Sequence, residues 1–512
     1  MRIKSVVSCI GLILALCGGF IAVTPSFAAP SLVVAVESAP KSMNPHSENG
    51  DATLGPMTNV FDGLMQRQKA DGKLVPALAE KYEHPDPLTW KFYLRKGVKF
   101  HNGNPFTAAD VKYTFERLTN PEVSQFVNDG KAIASIETPD DYTVIVKTKD
   151  PIPWFIDNMH QVFIMNKASS ESRSEGDIGV APIGTGAYKV TEYVKGSHMK
   201  LEANPDYWEG APSIKNVEMK FITEPSTRFA ALASGQAELI NGIPVELIDK
   251  VKENKNLDVM RRPARRAIFL VVTNRPGTPT ADPRVRKAMS LAINEDEIIK
   301  ILMRGQATAA SQMVDPATVG YNPDIKRLAY NPQEAKKLLK EAGLEKGFEI
   351  TLAGPNDRYV MDKQICEAVA KYLAKVGIKV NLDVKPKSIY FTEVMENKHD
   401  FYMMGWFDGT YSGARTFFRH LHTIDKDAGY GDWNGSRSSD KDIDQVLEKT
   451  NQIVDKAQYV KTLQEANKMA MERVRVIPLH YQMDLYAVAK KNGLQFTPRP
   501  DQWFVFKEMS KK

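Results

Sequence analysis

From Gly405 to Arg415 the chain reads Gly-Trp-Phe-Asp-Gly-Thr-Tyr-Ser-Gly-Ala-Arg, a set of side chains suited to holding a small molecule. Trp406 and Tyr411 offer flat apolar faces for stacking, Asp408 an anion for a cation, and Arg415 a planar fork for a carboxylate, while the glycines leave backbone polar groups accessible. Together Asp408 and Arg415 suit the two ends of a zwitterionic peptide. A local reading competes, with Asp408 as the cap of the following helix and Arg415 on that helix's solvated face. For Arg415 both readings stay open; for Asp408 ligand contact is the expectation.

Other chemistry finds little support. His420 and His422 form a His-x-His pair, but two histidines are too few for a tight metal site, so a half-buried surface pair is expected. There is no HExxH, CxxC, Walker loop, GxSxG or EF-hand pattern. Gly184-Thr-Gly186 lacks the third glycine and the strand-to-helix setting of a dinucleotide loop and reads as a turn. His101, within Phe-His-Asn-Gly, is given a core or turn role. No catalytic residue, metal or cofactor is expected.

The elements that position the 405–415 segment follow from periodicity. Phe348 to Leu352, Ile378 to Val384 and Asp400 to Met404 read as strands, with helices near Met361 to Val376 and Ser388 to Glu396 between them, a βαβαβ run. Ligands of open α/β sheets sit beyond the carboxyl ends of strands, which is where Gly405 begins. Asp282-Pro283 and Asn331-Pro332 pair an N-cap with proline at the first helical position, and Gly343 and Gly377 sit where helices stop. The first half differs. Ala132 to Glu137 with Tyr142 to Thr148, and Ala187 to Val194 with His198 to Ala203, read as hairpins. Val217 to Ile222, Ser226 to Ala233 and Ala237 to Ile240 read as strand, helix, strand, whose two strands a right-handed crossover makes parallel neighbours. Arg261-Arg-Pro-Ala-Arg-Arg266 reads as a solvated connector, before a strand Ile268 to Val272 that opens a second lobe.

Arg2 and Lys4, an apolar run from Val6 to Val23, and Pro25-Ser-Phe-Ala28 make a signal peptide over residues 1–28. Removing it takes Cys9 and Cys17, leaving Cys366 as a core residue on a helix. The formal net charge is +6, and +4 without Arg2 and Lys4, so nucleic acid is not an expected partner. With 43% hydrophobic and 25% charged residues in 512, the composition is globular and the length implies more than one domain.

Pro-Ala-Leu-Ala-Glu80, Trp90-x-Phe-x-Leu-Arg-x-Gly-Val-x-Phe-His-Asn-Gly103 and Pro105-Phe-Thr-Ala-Ala-Asp-Val111 occur in order, with strands expected at Trp90 to Leu94 and Val98 to Phe100 and a helix from Thr107. With Pro182 to Pro212, this resembles the family 5 extracellular solute-binding proteins of ABC importers, the peptide and nickel receptors, over Val33 to Trp503. The resemblance implies an α/β, two-lobed periplasmic-binding-protein fold (type II, cluster C) with an extra subdomain in the first lobe. Lobe I would span 29–267, with the accessory subdomain at about 66–180, lobe II 268–486, and residues 487–512 would return to lobe I. It also implies a monomer in the periplasm, not embedded in the membrane after processing. This protein would bind an oligopeptide or dipeptide-like solute between lobes and deliver it to the transmembrane subunits of a permease, without catalysis. By resemblance the loop Lys41 to Pro45 lies at the cleft, so Met43 and Asn44 join the candidates. Peptide-binding relatives show Trp, two residues, then an Asp that receives the peptide α-amino group; here that position is Gly409 and the acid falls one earlier, at Asp408. That departure keeps chelated nickel, opine and sugar open as ligands. A secreted hydrolase is the rival from another class, but no nucleophile–base set or spaced acid pair supports it.

Overall fold

A computed structural model describes residues 31–48 and 50–512; the expected signal peptide and its two cysteines lie outside them. One mixed sheet of eleven strands runs through the molecule. In spatial order its strands are Ile378–Lys385, Phe348–Pro355, Phe401–Trp406, Leu257–Val272, Val476–Ala489, Leu239–Asn241, Ser31–Val36, Asn216–Phe221, His198–Ala203 and Tyr188–Val194, with Ala307–Ala309 paired to Val476–Ala489 off this path. The strands Leu257–Val272 and Val476–Ala489 belong to both halves.

These two crossing strands are antiparallel, and their register breaks between Pro263 and Ala267. Proline has no N–H to give a ladder, so a break there is expected. On one side, Leu257 to Pro263 pair with Ala489 to Met483; on the other, Ala267 to Val271 pair with Tyr481 to Val476. Beyond the break the side chains alternate as a strand of period two requires. Ile268, Leu270 and Val272 enter one apolar core, while Ala267, Phe269 and Val271 enter another on the opposite face. A strand covered on both faces must be apolar throughout, which is why 267–272 reads as an unbroken hydrophobic run.

The βαβαβ run is present. Phe348–Pro355 pairs in parallel with both Ile378–Lys385 and Phe401–Trp406, with helices Asp362–Ala374 and Lys387–Met395 between. The Asp282 and Asn331 side chains accept from the backbone N–H groups of Arg284 and Glu334, each with proline at the first helical position. Cys366 is fully buried, and burial pushes its thiol up to about 12.

In the first lobe both hairpins form. The strand, helix, strand unit forms as well, but Ser31–Val36 lies between its two strands and pairs in parallel with each, so they are not neighbours. The segment from Ala79 to Thr148 builds a separate four-stranded antiparallel sheet in the order Ala79–Asp86, Thr89–Leu94, Thr143–Thr148, Ile133–Asp140. Trp90, Phe92 and Leu94 fill its core. Val98 to Phe100 is not a strand; it makes an isolated bridge, Lys99 to Pro105, and is held by burial of Val98 and Phe100. Helix Ala108–Leu118 follows, its capping box made by Thr107 and Asp110. Gly184 and Gly186 press on the backbone of Val60, where a Cβ would lie 2.0 Å and 2.4 Å from its atoms. His101 spans this turn, with Nε2 3.0 Å from the Gly186 carbonyl and Nδ1 accepting from the Gly184 N–H.

The arginine run is not a solvated connector. It lies inside strand Leu257–Val272. Arg262 donates to the Pro498 and Ala70 carbonyls, and buried Arg265 donates to the Asp408 carbonyl and Thr318 Oγ1 and sits 3.3 Å from Asp315.

Candidate functional site

A cavity of about 670 Å³ opens beside the crossing strands, within the range of small-molecule sites. Gln125, Phe126, Asp129, Trp154, Asn158 and Gln161 reach it from the first lobe, and Arg266, Arg358, Tyr359, Trp406 to Gly409, Arg415, Arg419 and Trp433 from the crossing strand and second lobe. The lobes touch at its edge, with the Trp154 and Phe418 rings 6.1 Å apart and Arg67 Nη2 donating to the Thr410 carbonyl at 2.6 Å.

Asp408 lies where the strand Phe401–Trp406 ends, its side chain 4% exposed. Its Oδ1 accepts from the Thr410 N–H at 2.8 Å and from the Thr410 hydroxyl, which turns the loop back on itself. The following helix, Gly413–His420, has Ser412 at its N-cap, so Asp408 is not its cap. Arg415, on that helix, lines the cavity with its Nε 3.6 Å from Asp408 Oδ2. The Asp408 charge raises the Arg415 pKa, against the cost of burial, with Asp129 and Asp432 adding to the rise. At this separation Asp408 and Arg415 cannot hold opposite ends of one peptide.

Asp129 comes from the other lobe. Its Oδ1 accepts from Asn158 at 2.6 Å. Burial raises its pKa, Arg415 opposes the rise, and Asp408 adds to it, so the three groups form one charged cluster across the cleft. A second sector is cationic. Arg266 lies 4.8 Å from the Phe407 ring centre and Arg358 5.4 Å from that of Tyr359, and both charges act on the buried Tyr359 hydroxyl, which donates to the Gly405 carbonyl. A third sector is aromatic. Arg419 forks onto Asp432 with bonds of 2.6 to 3.0 Å and covers Trp406 and Trp433 at 5.2 and 5.8 Å.

Among the residues expected from sequence, Trp406, Asp408 and Arg415 meet in the cavity lining, and Tyr411, Met43 and Asn44 do not. Tyr411 takes a left-handed backbone, φ 60°, which turns its ring away between Arg67 and Arg265, at 4.5 and 3.3 Å. Met43 is in the first-lobe core, its N–H bonded to the Gly179 carbonyl. Asn44 is buried against Glu175, which also takes Arg117. His420 and His422 are buried rather than half-exposed. His420 packs edge-on against Trp406 at 4.5 Å, and burial, aided by Arg419, drops its pKa to about 3; His422 instead bonds Thr423 and Glu448. Arg358 and Tyr359 follow the carboxyl end of strand Phe348–Pro355, and so were within reach of the argument that singled out Asp408. Asp129, Trp154, Asn158 and Gln161 carry no comparable signal.

The family model described as bacterial extracellular solute-binding proteins, family 5 Middle, matches residues 73–427. The glutathione-binding protein GsiB of Pectobacterium atrosepticum is 32% identical over 365 residues, 70% of each chain. Among solved structures, HbpA2 of Haemophilus parasuis shares the fold at a TM-score of 0.84 and 23% identity, covering 94% of this chain and 100% of that one. The periplasmic binding protein DppA of Helicobacter pylori, in complex with the peptide STSA, matches at a TM-score of 0.77 and 25% identity, over 94% and 98%.

Proposed function

The chain belongs to the bacterial extracellular solute-binding proteins of family 5, and we propose that it is the periplasmic receptor of an ABC importer, closing its lobes on a short peptide-like solute and handing it to the permease without turnover. The observation that carries this reading is the division of charge around a cavity walled by both lobes. Two carboxyl groups, Asp129 and Asp408, face one guanidinium, Arg415, in one sector, fit for a solute ammonium; Arg266 and Arg358 line another, fit for a carboxylate. Trp406, Trp433 and Phe407 supply the apolar surface between.

Closure is a rotation about the crossing strands at the register break, Pro263 to Ala267 opposite Tyr481 to Met483. A solute that touches Asp129 on one side and Asp408 on the other binds the closed form better, and that difference drives the motion. Among the described residues no helix is long and apolar enough to cross a membrane. Reduced glutathione, from the name of the GsiB relatives, and free tetrapeptides, from the DppA complex, are the first ligands to test by calorimetry on the mature protein. One-to-one binding is expected, with stability raised by about 2.7 kcal/mol at a hundredfold excess over Kd. Multiple-turnover cleavage of either ligand, or indifference to both while native mass spectrometry finds a non-peptide solute retained, overturns the proposal.

A further inference from the structure

At the edge strand of the large sheet, three side chains from different segments point at one place. Asp383 is on strand Ile378–Lys385, Glu393 on helix Lys387–Met395, and His399 in the link to strand Phe401–Trp406. Their ligating atoms all lie within 4.8 Å of one another. None of the three lines the interlobe cavity.

The imidazole is built into place. His399 is 8% exposed, lies nearly parallel to the Tyr390 ring with centres 6.1 Å apart, and approaches Tyr402 at 6.4 Å. Its Nε2 faces Glu393 at 3.2 Å in an ion-pair contact and, among the described residues, has no hydrogen-bond partner of good geometry. A cation already sits between the carboxylates: Lys385 Nζ is 2.9 Å from Asp383 Oδ2 and 2.8 Å from Glu393 Oε2. An ammonium on a flexible stem thus bridges two carboxylates whose ligating oxygens lie within 4.8 Å of an imidazole nitrogen. That donor set suits a divalent transition-metal ion, which takes imidazole and carboxylate together.

We propose that Asp383, Glu393 and His399 form a binding site for a divalent transition-metal ion of the zinc type, with Lys385 as a tethered competitor that swings toward solvent when the ion enters. The Lys385 side chain is already 23% exposed, so it keeps its proton and its hydration on leaving. Three protein ligands leave the remaining positions to water. A bound ion would tie together the edge strand, the helix and the lead-in to the strand that ends at Trp406.

The test uses mature protein stripped with a chelator, titrated with zinc chloride by calorimetry and with cobalt chloride by visible absorption. One equivalent is expected, with a cobalt d–d band. Glu393→Gln, at a side chain 21% exposed, should weaken binding at least tenfold, and so should His399→Asn where that variant folds. Lys385→Met should tighten binding several-fold, because the competitor is gone; a purely structural ion pair predicts no gain. Glutathione affinity should stay within twofold of wild type in Glu393→Gln and Lys385→Met, which separates this site from the cleft. No saturable equivalent, undiminished binding in Glu393→Gln, or no gain in Lys385→Met each overturns the proposal.

Discussion

Replacing Asp408 by Asn removes one charge from the cavity and leaves the loop's shape nearly intact. The amide oxygen still accepts from the Thr410 N–H and hydroxyl, the two bonds that fold residues 408–410 back, and the volume is unchanged. What goes is the anion 3.6 Å from Arg415. The cluster of Asp129, Asp408 and Arg415 then has one carboxylate fewer. A hydrogen bond from a solute ammonium to a carboxylate contributes about 1.5–3 kcal/mol, against about 0.5–1.5 for a neutral acceptor. The variant should therefore lose about 1–2 kcal/mol of binding, roughly 5- to 30-fold in Kd. Its unfolding free energy should fall by under about 1 kcal/mol. Asp408→Ala behaves differently, because the buried Thr410 N–H loses its acceptor at a further cost of about 1–3 kcal/mol, so affinity and stability drop together. Calorimetry with glutathione and thermal unfolding, run on both variants, separate charge from scaffold. An Asn variant that binds within twofold of wild type refutes the argument: the Asp408 charge would then play no part in holding the solute.

Asp484, on the second crossing strand, has a pKa pushed up to about 7 by burial, against Arg266 and Arg262 and with Glu37 adding to the rise. Because the folded value exceeds the unfolded 3.8, its contribution is full below pH 3.8, drains as pH rises to 7 and is gone above. Asp484→Asn should keep the Gln502 bond, match wild type at pH 4 and gain at pH 8, by at most about 4 kcal/mol; a loss at pH 8 in thermal melts contradicts this. Gly184→Ala places a Cβ 2.0 Å from the Val60 carbonyl oxygen, a backbone atom that cannot step aside, so denaturant unfolding should show a loss of about 1–3 kcal/mol or more. Tyr411→Phe should be neutral, within about 0.5 kcal/mol in stability and twofold in glutathione affinity, because the hydroxyl has no hydrogen-bond partner among the described residues and the ring lies outside the cavity; a tenfold loss of affinity would make that hydroxyl a ligand contact after all.

The fold was legible where one physical rule dominates. The strand at residues 268–272, the Asp-Pro and Asn-Pro helix starts and the glycine stops each report local geometry, and each appears as expected. Pairing partners were less legible, because they are set by distant chain. The strands around helix Pro225–Ala233 look like neighbours in sequence, yet Ser31–Val36, nearly two hundred residues earlier, lies between them. The arginine run misled for a related reason: composition sees four cations, but pairing with Val476–Ala489 turns the run into a strand in which Arg262, Arg265 and Arg266 serve carbonyls, a carboxylate and the cavity wall. Topology led to Trp406 and Asp408, which line the cavity, because they come at a strand's carboxyl end. Met43 and Asn44 follow one too, but an apolar side chain beside an open core is drawn into it, and Asn44 has Glu175 for a partner.

Gly409, the position that the resemblance assigns to the family's aspartate, lies where the lobes meet. A Cβ there would lie 2.3 Å from Gln161 Nε2, which belongs to the other lobe. That contact joins the two lobes, and a larger residue at 409 would have to push the flexible end of Gln161 aside. The anion is at residue 408, where Thr410 takes one of its oxygens and Arg415 stands beside the other. Such an acid is partly satisfied before any solute arrives. The Asp129 carboxylate, reaching in from the first lobe and destabilised as an anion by burial and by Asp408, has more to gain from a solute cation. An ammonium shared between Asp408 and Asp129 relieves their mutual repulsion only when the lobes are together, so recognition and closure become one event. Asp129→Asn should accordingly weaken glutathione binding and the ligand-induced compaction seen by small-angle scattering together. A variant that loses affinity while still closing fully on saturation would break that link.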